Sequence, residues 1–253
     1  MREALAAGLP PVVGIIAERY VEHDADAGLR QMLTAALAAE AFPVHAAPLP
    51  PGLRPGLWVA AERAFAAVAG VPAHQGILAV FALPDRAHAG LAAPRWALAL
   101  DAVQDPGNVG ALARALLAFA GAGALLLTGP TTADPFGDKA LRASAGAVFH
   151  LDLRTTADLP ATLGALGALG VHWWALCPRD GLSPRRADLS PPLGLVVGSE
   201  GSGVSPAVLA VCRRLTVPMA GAAESLNAAV AGGIVLYEAA MAAVGGAGAA
   251  AGR

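Results

Sequence analysis

Five polar residues of kinds that hold or move charge, Asn108, Arg114, Glu200, Ser225 and Asn227, stand in or beside loops that follow apolar runs. The first loop, residues 101–110, reads DAVQDPGNVG. Pro106-Gly107 makes a tight turn, and Asn108 is suited to cap the helix that follows. Arg114 falls within the first two turns of that helix, where the macrodipole disfavours a cation. An arginine kept there points to an anion, such as a nucleic-acid phosphate. The second loop, residues 198–205, reads GSEGSGVS directly after the run LGLVV. Its three glycines let backbone approach a ligand closely. It is not a P-loop, which needs lysine where Val204 stands. Nor is it the dinucleotide fingerprint, because Pro206 occupies the place of the third glycine. Glu200 would repel phosphate there, but it suits a cationic ligand or the orienting of an arginine. The third loop, residues 216–227, reads TVPMAGAAESLN. Pro218 and Gly221 shape it, Ser225 is a candidate N-cap, and Asn227 lies on the first turn of the next helix. Taken singly, these residues also read as a surface arginine, a flexible turn and helix caps, and spacing alone leaves those readings open.

The elements that must position the loops alternate. Strands are expected at 96–100, 124–128, 148–153, 171–176, 194–197 and 215–217. Helices are expected at 109–120, 138–143, 158–169, 205–211 and 225–241. Near-continuous apolar strands between helices predict an α/β domain with a mainly parallel sheet covered on both faces. Ligands of such sheets sit beyond the carboxyl ends of the strands, where all three loops fall. Residues 1–83 read as a smaller α/β unit, with helices at 1–9, 27–41 and 58–69 and strands at 12–16, 43–46 and 77–83. Residues 84–94 lack periodicity and hold two prolines, which marks a linker. The second domain then spans 95–244, and the Gly/Ala-rich stretch 245–253 reads as a disordered tail. A chain that starts on a helix with no strand before it suggests a start that has been trimmed.

Composition narrows the setting. Of 253 residues, 56% are hydrophobic and 14% charged. A membrane span needs about 20 mostly apolar residues. The longest weakly charged stretch, 159–178, is cut by Gly164, Gly167 and Gly170 and carries His172, so a soluble chain is expected. Residues 1–9 hold Arg2 and Glu3 and lack the apolar core of a signal peptide. Two cysteines, Cys177 and Cys212, are too few for a disulfide scaffold, and a reducing cytoplasm is the simplest setting. No metal site is expected. A net charge of −2 argues against broad electrostatic binding of nucleic acid, but not against a local basic surface. Arginine dominates the basic residues, Lys139 being the only lysine, and arginine suits bidentate phosphate contacts.

The three loops together are far more specific than any one of them. They resemble the SpoU-type RNA 2′-O-ribose methyltransferases of the SPOUT superfamily. Asp105-Pro106, Asn108, Gly110 and Arg114 match the first motif, and Gly198, Glu200, Gly201 and Gly203 the second. Val217-Pro218-Met219, Ser225-Leu226-Asn227 and the run from Ile234 to Glu238 match the third. Residues 138–147 look like the family's basic segment, and His74-Gln75-Gly76 is similar to the end of its N-terminal substrate-binding domain. The resemblance implies S-adenosylmethionine as methyl donor, a deep trefoil knot, and a homodimer with the cofactor close to the interface. It also implies that Gly198, Val217, Met219 and Leu226 line the cofactor pocket, with Leu127 and Thr128 nearby. Arg114 matches the family's catalytic arginine, and Asn108, Glu200, Ser225 and Asn227 are expected to orient it and the ribose. A guanidinium stays protonated, so Arg114 is expected to hold the adjacent phosphate and the developing alkoxide, not to take the proton. Lys139, Arg142, Arg185 and Arg186 are the expected RNA contacts. The smaller first domain favours 23S ribosomal RNA as substrate. Transfer RNA, or a non-catalytic RNA-binding or ribosome-assembly role, are the alternatives.

Overall fold

The computed structural model describes residues 1–23, 27–38, 56–69, 75–82, 92–221 and 224–250. The chain divides into two compact units, Met1–Asp85 and Arg86–Arg253. The expected strand at 43–46, His74 and most of the expected linker lie outside the described residues.

In the first unit, β1 (Pro11–Ala17) lies between β2 (Gly56–Ala60), which is parallel to it, and β3 (Ile77–Phe81), which is antiparallel. The helices are α1 (Arg2–Ala6), α2 (Glu18–His23), α3 (Ala27–Ala38) and α4 (Glu62–Ala69). Val13, Ile16, Leu33 and Phe65 are its deepest side chains, so the middle strand and the helices α3 and α4 make its core. The helix expected from residue 58 begins only at Glu62. Leu57, Trp58 and Val59 pair with β1, as aromatic and β-branched side chains favour an extended backbone.

The second unit holds six parallel strands in the order β6-β5-β4-β8-β7-β9. They are β4 (Trp96–Asp101), β5 (Leu125–Thr128), β6 (Asp152–Thr155), β7 (His172–Leu176), β8 (Leu193–Gly198) and β9 (Arg213–Leu215). Every residue of β4, β5 and β8 is buried, as expected for strands covered on both faces. Alternation sends Leu98, Leu100, Leu195 and Val197 into one layer, with Leu112 and Leu116 of α5 (Pro106–Ala120) and Val235 and Leu236 of α9 (Ala228–Ala250). Ala97, Ala99, Leu127 and Val196 face the other, with Leu159, Leu163 and Leu166 of α7 (Leu159–Ala168) and Val208 of α8 (Pro206–Leu209). The helix α6 (Asp138–Ser144) lies against α5, where Gly110 permits close approach. A Cβ on Gly110 would come 2.3 Å from the Ala140 carbonyl oxygen.

Several boundaries move. The strand expected from residue 148 begins at Asp152, and Ala147–Phe149 form a 3-10 turn instead. Val148 is fully buried in the same core cluster as Leu112 and Leu116, so packing and not extended pairing satisfies its apolar side chain. The strand β9 ends at Leu215, which leaves Val217 in the following loop. The stretch expected to be disordered from residue 245 is helical through Ala250, because alanine readily propagates a long helix already formed, even against Gly245, Gly246 and Gly248. No helix among the described residues is long and apolar enough to cross a membrane.

Candidate active site

Strand order places the site. From β4 the chain moves outward through β5 to β6, then crosses to β7 and returns to β8 beside β4, so the direction reverses between β4 and β8. At the carboxyl ends of β7, β8 and β9 a pocket of about 510 Å³ opens. Leu176, Val197 and Leu215, the strand ends, give it an apolar floor. Gly198 to Gly203 form one wall, and Val217, Met219, Ser225, Leu226 and Asn227 another. The glycine loop is a tight hairpin in which Ser199 and Gly203 exchange backbone hydrogen bonds of 3.1 and 3.0 Å. A Cβ on Gly198 would lie 2.2 Å from Gly203 and Val204 backbone, so this residue must be glycine for the loop to fold back on its own base. The hydroxyls of Ser199 and Ser202, 2.7 Å apart, close the hairpin from within.

Asn108 joins the three loops. It is buried, and its Nδ2 donates to Glu200 Oε1 at 2.7 Å. Asn227 Nδ2 donates to Asn108 Oδ1 at 3.0 Å, while Asn227 Oδ1 accepts from the Ala229 and Val230 amides. The two ends of this chain set its direction. A carboxylate can only accept and a backbone N–H can only donate, so both asparagine side chains have one permitted orientation. Asn108 is therefore not the cap of α5. Asp105 caps it, accepting from Gly107 N at 3.0 Å, and Asn108 sits one turn inside with its amide free to bridge. Asn227, not Ser225, caps α9, which starts at Ala228. Ser225 is exposed on the pocket rim.

Burial alone would raise the Glu200 carboxyl's pKa. The hydrogen bond from Asn108 and the backbone amides of Glu200, Gln104 and Asp105 outweigh it and hold the pKa below the usual glutamate value. A depressed folded-state pKa contributes stability that is present above the unfolded value and lost as pH falls through the folded one. Unfolding midpoints in urea are thus expected to fall on the acid side of the usual glutamate range. Glu200→Gln, which keeps an acceptor but has no charge to titrate, should lack that component. Identical acid profiles for the two proteins would contradict this role.

The other expected residues are dispersed. Arg114 is exposed, lines no part of the pocket and has no hydrogen bond or ion pair among the described residues. Because α5 starts at Pro106, Arg114 stands in its third turn, where the dipole effect that drew attention to it has faded. Lys139 Nζ meets Asp105 Oδ1 at 2.6 Å, and this bond, with the Gly107 amide, lowers the Asp105 pKa. Arg142 is exposed at the end of α6. Arg185 and Arg186 are exposed after a turn at Ser183, and Arg185 Nε lies 3.7 Å from Glu238 Oε1 of α9. Leu127 and Thr128 end β5, two strands from β8, and do not line the pocket. Cys177 and Pro178, which do, were not singled out from the sequence; only the strand order brings the end of β7 beside β8.

Fold and site together define an α/β protein with a parallel six-stranded sheet and one pocket at its strand ends, and comparison makes the family specific. The chain matches the SpoU rRNA Methylase family over residues 95–237. It is 38% identical over 192 residues to the 23S rRNA (guanosine(2553)-2′-O)-methyltransferase RlmP of Bacillus subtilis, covering 75% of each chain. It spans about half the length of several mycobacterial relatives described as uncharacterized tRNA/rRNA methyltransferases. The AdoMet-bound rRNA methyltransferase of Sinorhizobium meliloti superposes with a TM-score of 0.73 at 26% identity, covering 95% of this chain and 84% of that one. A protein studied for 2-OH methylation of C/U34 on tRNA is 32% identical with a TM-score of 0.52, covering 58% of this chain and 95% of that one. The chain belongs to the SpoU rRNA methylase family. It is accordingly an RNA 2′-O-methyltransferase that uses S-adenosylmethionine.

Proposed function

We propose that the chain methylates a ribose 2′-hydroxyl of 23S ribosomal RNA, with the pocket between the second and third loops holding the methyl donor. The observation that carries this reading is the joining of all three loops through Asn108 beside one pocket. The pocket's chemistry fits the donor. Its 510 Å³ lies within the roughly 300–1,000 Å³ of small-molecule sites. Among the described residues its lining contains no lysine or arginine, and Glu200 is the one charged side chain there, which suits a sulfonium and would not suit a nucleotide phosphate. Apolar strand ends can take a flat ring, and glycine backbone with the hydroxyls of Ser199, Ser202 and Ser225 can take polar edges.

S-adenosylmethionine supplies an already activated methyl group, so the chain's own task is to position both reactants and ease loss of the hydroxyl proton. Asn108, Glu200 and Asn227 hold the loops in register. The role proposed for Arg114 is to meet the phosphate beside the target ribose and to stabilise the developing alkoxide; its exposure, with no hydrogen bond or ion pair among the described residues, supports this. Lys139, Arg142, Arg185 and Arg186 offer further phosphate contacts on exposed positions. Two of them are already engaged, Lys139 with Asp105 and Arg185 with Glu238, so RNA would share or displace those carboxylates. The tRNA-related structure covers little more than half of this chain, whereas the rRNA enzyme covers nearly all of it, which favours ribosomal RNA. Mapping ribose methylation across rRNA and tRNA with and without this gene tests the reading. Loss of one 23S site is expected, and loss only in tRNA would overturn it.

A homodimer assembled through α9 goes with this function, in the cytoplasm. Val230, Ile234, Tyr237, Met241 and Val244 are all exposed and recur at alternating four- and three-residue spacing along one face. The opposite face already buries Val235, Leu236 and Ala239. A helix that is apolar all round calls for cover on both sides, and a second copy of the same stripe supplies it. Val230 lies next to the pocket-lining Ala228 and Ala231, which puts that interface beside the cofactor. Sedimentation is expected to give twice the chain mass for the native protein and the single-chain mass for Ile234→Glu/Tyr237→Glu. A monomeric native protein would contradict it. The deep trefoil knot implied by the family resemblance is part of the same proposal.

A further inference from the structure

The end of β4 holds a carboxylate that the site as described does not use. Asp101 is 8% exposed, and among the described residues it has no ion pair. Burying a carboxylate is unfavourable unless hydrogen bonds replace its water. Its Oδ2 accepts one short bond, 2.7 Å, from the backbone N–H of Ser205, which is 104 residues away in sequence. Ser205 closes the glycine hairpin and stands at the N-cap of α8, where its own side chain makes no capping bond. The hairpin's other end is tied to the same residue, since Asp101 is the register partner of Gly198 in the β4–β8 ladder. Ala102 directly follows with φ of 58°, a left-handed conformation that is strained for alanine and recurs at functional loops.

We propose that Asp101 is a positioning residue for the methyl donor: its carboxylate, by catching Ser205 N–H, clamps the base of the glycine hairpin and keeps the pocket preformed. Glu200 fixes the tip of that hairpin through Asn108, and Asp101 fixes its base. With only the tip held, the residues from Gly198 to Gly203 would sample open arrangements. Apparent affinity would then fall by the fraction of time that the wall is out of place. This inference rests on the reading that S-adenosylmethionine occupies the pocket.

Two substitutions remove the bond from opposite sides. Asp101→Ala deletes the acceptor. Ser205→Pro deletes the donor at a residue whose φ of −64° already suits proline. Calorimetry with S-adenosylmethionine is expected to show each weakening binding by about tenfold or more, as befits loss of a charge-assisted hydrogen bond. The double variant should be no weaker than the worse single one. Asp101→Asn, which retains an acceptor oxygen, should restore most of the affinity, and amide exchange at 202–208 should rise in the two disrupted variants and not in Asp101→Asn. Native affinity in a folded Asp101→Ala protein, or additive losses in the double variant, would overturn the proposal. If Asp101→Ala does not fold, Ser205→Pro carries the test alone, and native affinity there overturns it equally. A native protein that does not bind the donor at all would instead refute the pocket's assignment.

Discussion

Arg114→Ala is expected to slow methyl transfer by about 10²–10³ while S-adenosylmethionine binding stays at the native level. The separation follows from where the side chain stands. Arg114 lies outside the pocket lining and makes no hydrogen bond or ion pair among the described residues that its loss would break. Stability and cofactor affinity should therefore be untouched. A guanidinium acts as a fixed positive charge with a planar fork of donors, so the proposed role is electrostatic and not that of a proton acceptor. Removing one preorganised donor aimed at a developing oxyanion typically costs about 10²–10³ in rate. Arg114→Lys keeps the charge but not the planar fork, and should recover only part of that loss. Single-turnover transfer measured beside cofactor titration checks this. Near-native transfer by Arg114→Ala would remove the residue from the mechanism.

Asn108 should behave differently, because it touches both neighbouring loops. Asn108→Ala leaves Asn227 Nδ2 without its acceptor and Glu200 without its side-chain donor. Stranding such groups costs about 1–3 kcal/mol. For a chain of this size that is a fall in Tm of about 2–4 °C for each kcal/mol. Cofactor binding should weaken in parallel, since the glycine hairpin and the third loop lose their common anchor. Asn108→Asp is the sharper case. It sets a second carboxylate against Glu200, and like charges at hydrogen-bond distance raise the pKa of one of the pair. Acidification should then stabilise the Asn108→Asp variant over the range where it begins to weaken the native protein. Melting curves from neutral pH downward would show the two profiles diverging, and parallel profiles would contradict the bridge.

Much of the second unit was legible because its signals are local. Apolar runs such as WALALD and LGLVVG announce buried strands, and every residue of β4 and β8 is indeed buried. The three loops at strand ends followed from the same alternation. What was misread turned on contacts distant in sequence. Asn108 looks like a cap beside Pro106-Gly107, and only the approach of β8 to β4 reveals that its amide reaches Glu200, 92 residues on. Asp101 reads as no more than the first residue of a loop until Ser205 arrives beside it. Val148 and Phe149 have strand-like side chains, yet packing against α5 satisfies them in a 3-10 turn. In the first unit, alanine-rich segments carry little periodic contrast, and the strand at Trp58 was absorbed into the helix that follows it.

The central claim is that this site transfers a methyl group to a ribose hydroxyl of ribosomal RNA. The most direct measurement incubates the purified chain with methyl-labelled S-adenosylmethionine and unmodified 23S RNA, then digests the product to nucleosides. The account predicts label in a single 2′-O-methylated nucleoside, formed about 10²–10³ more slowly with Arg114→Ala. Label on a base, or no label while transfer RNA accepts it, would contradict the account.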